Sequence, residues 1–231
     1  MDLDLVDTLR STGAARQFHP EPVGDEVLER LLDTARFAPS GGNRQGWRVI
    51  VVKDPQARAA LRDIYTAGWY EYLALASAGL VPWAPVTDRE AEASALANAA
   101  QFAEAAAATP GFAETLDSAP ALLLVLADLS ALAAVDRDLP RYTFAGGASI
   151  YPFVWSLLLA ARTEGLGGVM TTMPVREEDD VRALFGIPPT VAVAALVALG
   201  RPTTVPRRLR RAPVHSFAWV DRFEGTPLSG P

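Results

Sequence analysis

Residues 38–48 read APSGGNRQGWR and stand directly between a helical run and a strand. Upstream, in VGDEVLERLLDTARF (23–37), Val27, Leu28, Leu31, Leu32 and Ala35 recur at helical spacing. Gly24 or Asp25 can cap that helix, and acidic residues occupy its first turn, where the helix dipole favours them. Pro39 and the glycine pair end it. Downstream, WRVIVV (47–52) is rich in β-branched residues and reads as a buried strand. Glycines let backbone amides approach a flat partner closely, while Asn43, Arg44 and Gln45 supply donors and acceptors. Two readings stand open on this stretch alone: turn punctuation, or a surface that holds a ligand.

Working outward, residues 2–10 pattern as a helix with Leu3, Leu5, Val6 and Leu9 on its apolar face. DPQARAALRDIY (54–65) starts another, with Pro55 in a favoured first-turn position. The alanine-rich stretch 69–117 reads as helical, broken at VPWAPV. APALLLVLAD (119–128) is a second buried strand, and GVMTT (168–172) a short one. A helix runs from Gly146 to Glu164, where Gly165 and Gly167 stop it, and REEDDVRALFG (176–186) forms another. TVAVAALVALG (190–200) is taken as a strand because valine is frequent and Gly200 ends it, with a helix left open. There is no repeat and no low-complexity linker. The expectation is one α+β domain over 1–231, with a mixed central sheet flanked by helices, a variable helical region at about 66–118 and a basic extension at about 201–231.

Composition narrows the chemistry. The 231 residues are 50% hydrophobic and 21% charged, as in an ordinary globular protein. A net charge of -6 gives no support to nucleic-acid binding. Cysteine is absent, which removes disulfides, thiolate metal sites and a cysteine nucleophile, and accords with a cytoplasmic location. His19 and His215 are too few for a histidine-rich metal site, and no G-x-S-x-G elbow accompanies them. The opening MDLDLVDTLR is acidic and short of apolar length, so no signal peptide is expected. The apolar run from Ala145 to Ala161 is interrupted by Ser149, Tyr151, Pro152 and Ser156, and falls short of the roughly 18 apolar residues of a membrane span. GLGGVM is not G-x-G-x-x-G and lacks a surrounding βαβ unit.

RQFHPEPV (16–23), a helix, and then APSGGNRQGWRVIVV together resemble the nitroreductase family of FMN-dependent oxidoreductases. GGASIYPFVWSLLLAARTEGLGGVMTTMPV (146–175) and VRALFGIP…VALGRP (181–202) are similar to that family's central helix, flavin-face segment and last core strand. The resemblance covers Leu5 to about Lys53 and Ala119 to about Phe223. It implies an intertwined homodimer with FMN at the subunit interface and NAD(P)H as co-substrate. Arg16 takes the place of a basic residue at the pyrimidine edge of the flavin, where a cation tunes the ring's electronics. Read locally, Arg16 is more readily a solvent-facing arginine at a helix C-terminus. Ser40, Gly41 and Asn43 match the loop along the isoalloxazine. Thr171 and Thr172 match the segment whose backbone N–H points at N5. Arg208 and Arg210, in RRLRR (207–211), match a late basic clamp on the phosphate, although such a run is often a solvated charge cluster.

Departures from the family's pattern are visible. Where its N-terminal arm carries an additional arginine and a small hydroxyl residue, this chain has Thr12, Gly13 and Ala14. Arg10 or the tail arginines would have to substitute at the phosphate. Trp155 and Ser156 replace a frequent Gln-Asn pair. Trp69, Tyr70, Tyr72, Trp83, Phe144 and Tyr151 are either packing residues or an aromatic lid over the flavin. The implied activity is ping-pong hydride transfer from NAD(P)H to a flat acceptor such as a nitroaromatic, a quinone or an enone-like compound. Two alternatives stand beside it: a flavin-dependent dehydrogenase or desaturase that returns electrons to oxygen, and a flavin-binding protein without redox turnover.

Overall fold

The computed structural model describes residues 4–205 and 209–228. Four strands form one sheet in the order β1-β2-β4-β3: β1 (Trp47–Val51), β2 (Ala121–Asp128), β3 (Gly167–Thr171) and β4 (Val191–Gly200). Every strand pair is antiparallel. The sheet expected to be mixed therefore keeps a single parallel contact, an isolated bridge between Ala14 and Gly168. The crossing from β3 to β4 runs through a helix, yet β4 returns beside β3 in the opposite sense, so that connection creates no parallel pair.

Helices cover both faces. Alternate β2 residues Leu123, Val125 and Ala127 join a core with α2 (Asp25–Ala35) and α6 (Tyr151–Thr163). Leu122, Leu124 and Leu126 face the other way, against α3 (Pro55–Ser77) and α7 (Glu178–Phe185). A strand covered on both faces has no solvent side, which explains why β2 reads as an unbroken apolar run. The long α3 is capped by Asp54, whose carboxylate accepts from the Ala57 N–H at 2.7 Å, with Pro55 at its start. The region 66–118 holds the end of α3 together with α4 (Arg89–Leu96) and α5 (Ala99–Ala108).

Two elements differ from their sequence reading. The helix expected from Gly146 begins at Tyr151, after a 3-10 turn over Ala145–Ser149, because Pro152 favours a helix's first turn. The first helix, α1 (Leu5–Ser11), presents its apolar residues to solvent: Leu5 is 65% exposed, Val6 48% and Leu9 43%. Leu3 lies outside the described residues. No helix among the described residues is long and apolar enough to cross a membrane.

Candidate functional site

The loop between α2 and β1 is held by its own side chains. Ser40 Oγ accepts from the Gln45 N–H at 3.0 Å, and the Ser40 carbonyl accepts from Asn43 N–H at 2.9 Å. Gln45 Nε2 donates to Asn43 Oδ1 at 3.2 Å, so Gln45 braces the side chain expected to hold a ring edge. Gly42, Asn43 and Gln45 have φ of +61°, +54° and +51°, on either side of a right-handed Arg44, and glycine and asparagine tolerate the left-handed region best. From outside the loop, Ser149 Oγ accepts the Gly41 N–H at 3.0 Å.

Arg16 and Thr171 come together around a residue that sequence reasoning missed. Tyr65, on α3, is 3% exposed. Burial pushes its phenol up, while the Thr171 side chain and the Arg16 guanidinium beside it act in the opposite direction. Tyr65 also meets Phe112 edge-on at 6.2 Å, and Phe112 lines a hollow with Arg16, Phe18 and Pro120. Arg16 is exposed and forms no ion pair among the described residues.

Strand geometry separates the two threonines. Ala15 N–H donates to the Gly168 carbonyl at 2.9 Å, so Gly168 directs its backbone groups to the open edge of β3. Alternation then turns Met170 and Thr172 outward and points Thr171 toward its β4 partner Leu196. The free edge N–H expected of this pair is thus that of Thr172, while Thr171 contributes its hydroxyl, which accepts from Met173 N–H at 3.3 Å.

These residues do not form one constellation within a chain. Arg16, Thr171 and Thr172 flank β3, whereas Ser40, Gly41 and Asn43 precede β1, on the opposite edge of the sheet. Three inter-strand steps of roughly 4.8 Å separate those edges by about 14 Å. No hydrogen bond joins the two sets among the described residues.

Arg210 stands with Arg10. The Leu209 N–H donates to the Arg10 carbonyl at 2.9 Å, which ties the tail to the end of α1. Leu9, Arg10, Leu209, Arg210 and Arg211 line one open hollow. Arg208 lies outside the described residues. The Thr12 hydroxyl is buried and donates to the Thr8 carbonyl at 2.7 Å, so it is spent on ending α1.

The aromatic residues of the middle region form a ladder. Trp69 stacks on Tyr72 at 5.1 Å, Tyr72 meets Trp83 at 6.2 Å, and the Arg176 guanidinium lies 4.8 Å from the Trp83 ring centre. Trp69, Tyr72 and Trp83 pack on the core beneath α3. Tyr151 donates to the Ala194 carbonyl at 3.2 Å, and burial pushes its phenol up. Phe144 is exposed and takes the Arg141 guanidinium over its ring at 4.8 Å. Among the described residues, no group of three histidine, aspartate or glutamate side chains is placed to hold a metal.

Comparison with known proteins points in one direction. The profile of the Nitroreductase family matches residues 9–201. A protein named NADH dehydrogenase from Thermus thermophilus is 32% identical over 200 residues, 87% of each chain. A 5,6-dimethylbenzimidazole synthase from Rhodobacter capsulatus is 30% identical over 86% of this chain and 83% of its own. Among solved structures, oxidized iodotyrosine deiodinase bound to FMN and 3-iodo-L-tyrosine superimposes with a TM-score of 0.62 at 24% identity, covering 91% of this chain and 96% of that one. NADPH:FMN oxidoreductase from Vibrio harveyi gives 0.64 at 21% identity, over 96% and 79%. Those two likenesses establish the fold.

Proposed function

The chain belongs to the nitroreductase family, and from that premise we propose that it is an FMN-dependent oxidoreductase that passes hydride equivalents from NAD(P)H to a flat electron-accepting substrate. The observation that carries this reading is the Arg16 guanidinium, exposed and without an ion pair among the described residues, next to Ala15, whose N–H seats the arm on the edge of β3 from which the Thr172 N–H projects. A cation and a backbone donor on an open strand edge are what the polar end of a planar cofactor requires.

Bound there, a flavin supplies a ring that accepts and gives up two electrons as hydride. Arg16 would set positive charge at its pyrimidine edge. The Thr172 N–H would fix the ring's orientation, with Thr171 and Tyr65 bracing that segment. Arg10 and Arg210, with no carboxylate lining their hollow among the described residues, would hold the phosphate. Ser40, Gly41 and Asn43 would lie along the ring from a second copy of the chain, because they occupy the far edge of the sheet. The exposed apolar residues of α1, with Trp155 on α6 and Phe37 beside the loop, give a homodimer its contact surface. NAD(P)H and the acceptor use one open face in turn, so turnover is ping-pong. The protein needs to supply no nucleophile, in keeping with a chain that lacks cysteine.

Titration with FMN, followed by NADPH under anaerobic conditions, tests the assignment. Tight binding and bleaching of the yellow protein by nicotinamide support it. Flavin that resists nicotinamide but reduces with a metabolite would point to the dehydrogenase alternative. Protein that neither copurifies with flavin nor binds added FMN would sink both.

A further inference from the structure

A second hollow, of about 440 Å³, opens where Thr172 ends β3. Its walls are Trp83, Tyr151, Thr172, Met173, Val175, Arg176 and Val193. Two of these residues carry flat rings, and Met173, Val175 and Val193 are apolar, so the space suits a planar aromatic body. Its polar lining has one sign. Arg176 is a cation, and no carboxylate is among the walls. Two carboxylates touch the lining residues: Glu71 pairs with Arg176 Nη2 at 2.9 Å, and Glu178 accepts the Val193 N–H at 2.6 Å.

Donors here exceed acceptors. A guanidinium carries five N–H bonds, and Glu71 takes one, in a pair whose side chains are 42% and 32% exposed. Such an exposed pair is worth about 0–1 kcal/mol and yields readily to a better acceptor. The Arg176 guanidinium lies 4.8 Å from the Trp83 ring centre, so the cation is held at the aromatic wall of the hollow.

We infer that this hollow is the acceptor subsite and that it selects aromatic anions, a ring bearing a carboxylate, through Arg176. This rests on the flavin reading for its place in the reaction, because the hollow begins at Thr172. The anion's oxygens pair with Arg176 while its ring lies between the aromatic and apolar walls. Arg176 is thereby a specificity residue.

Calorimetric titration of the FMN-loaded protein with 4-nitrobenzoate and with neutral, similarly shaped 4-nitrobenzamide decides the matter. The expected result is a lower Kd for the anion. That preference should fall at least tenfold in Arg176→Gln and recover in part in Arg176→Lys. Equal Kd values for the two compounds in the wild type, or a preference that survives Arg176→Gln, would overturn the inference. Absence of FMN binding is a separate result, read before any nitro compound is added, and it counts against the flavin reading. The same two-compound titration on flavin-free protein then still decides the selectivity of the hollow.

Discussion

Replacing Arg16 by alanine separates a cofactor contact from a structural one. The side chain is exposed and forms no ion pair among the described residues, so its loss should change folding stability by less than about 0.5 kcal/mol. For a chain of this length that is under about 2 °C in melting temperature. FMN affinity should respond far more. A hydrogen bond to a charged group contributes about 1.5–3 kcal/mol, equivalent to roughly 10- to 150-fold in Kd. Arg16 remains in contact with water, which places the expected loss in the lower part, about 10- to 30-fold. The assay is quenching of flavin fluorescence on titration, paired with a thermal melt of the same preparations. Arg16→Lys should recover part of the affinity, since charge returns without the planar fork. An FMN Kd within twofold of wild type would refute the role. A fall of many degrees in melting temperature would instead make Arg16 a structural residue.

The remaining predictions use different parts of the molecule. A Cβ at Gly168 would sit 2.5 Å from the Ala198 carbonyl oxygen and 2.5 Å from Leu199 Cδ2, so Gly168→Ala should cost about 1–3 kcal/mol and several degrees in a calorimetric scan; an unchanged melt would contradict the packing described. Leu5 opens α1 and is exposed, so Leu5→Glu suits the helix dipole yet removes apolar contact surface. If α1 lies in the homodimer contact proposed above, light scattering should show half the mass of the wild type, and an unchanged mass would remove α1 from that contact. The Phe144 N–H at 2.9 Å, with Arg141 at 2.9 Å and the Ala145 N–H at 3.3 Å, holds the Asp136 carboxyl below the ordinary carboxylate range against its burial. A depressed folded pKa stabilises above the ordinary value of about 3.9 and is lost as pH falls through the lower folded value. Asp136→Asn should therefore flatten the acid limb of a stability-against-pH curve, and an identical limb in both proteins would refute this.

The strands were legible because each is covered on two faces or built of β-branched residues. Leu122 to Leu126 alternate between two cores, and that demand writes itself as continuous hydrophobicity. Strand order is not local, so nothing in 38–48 could reveal that its loop precedes an edge strand opposite β3. The same limit hid Tyr65, Ser149 and Arg176. Each acts through a partner far along the chain: Thr171 for Tyr65, Gly41 for Ser149, and Glu71 and Trp83 for Arg176. Gln45 was within reach of local reasoning, because an amide two residues from Asn43 in a tight loop can close on it.

The N-terminal arm seats on β3 through Ala15, whose N–H bonds directly to the Gly168 carbonyl. At the neighbouring Gly167 even an added Cβ would come within 3.4 Å of Ala15 Cβ and 3.2 Å of Pro202 Cγ. Backbones approach this closely only where side chains are small, so Ala15 is held tightly just beyond Thr12, Gly13 and Ala14, where the resemblance implies an additional cation. Thr12 cannot compensate, because its hydroxyl is bonded to the Thr8 carbonyl. The positive charge reappears one turn earlier and from the tail, as Arg10 and Arg210 on one hollow joined by the Leu209–Arg10 backbone bond. If those arginines hold the phosphate, an Arg10→Ala, Arg210→Ala double variant should lose affinity for FMN while its weaker affinity for riboflavin, which has no phosphate, stays the same. Equal losses for both flavins would place the arginines outside the phosphate site.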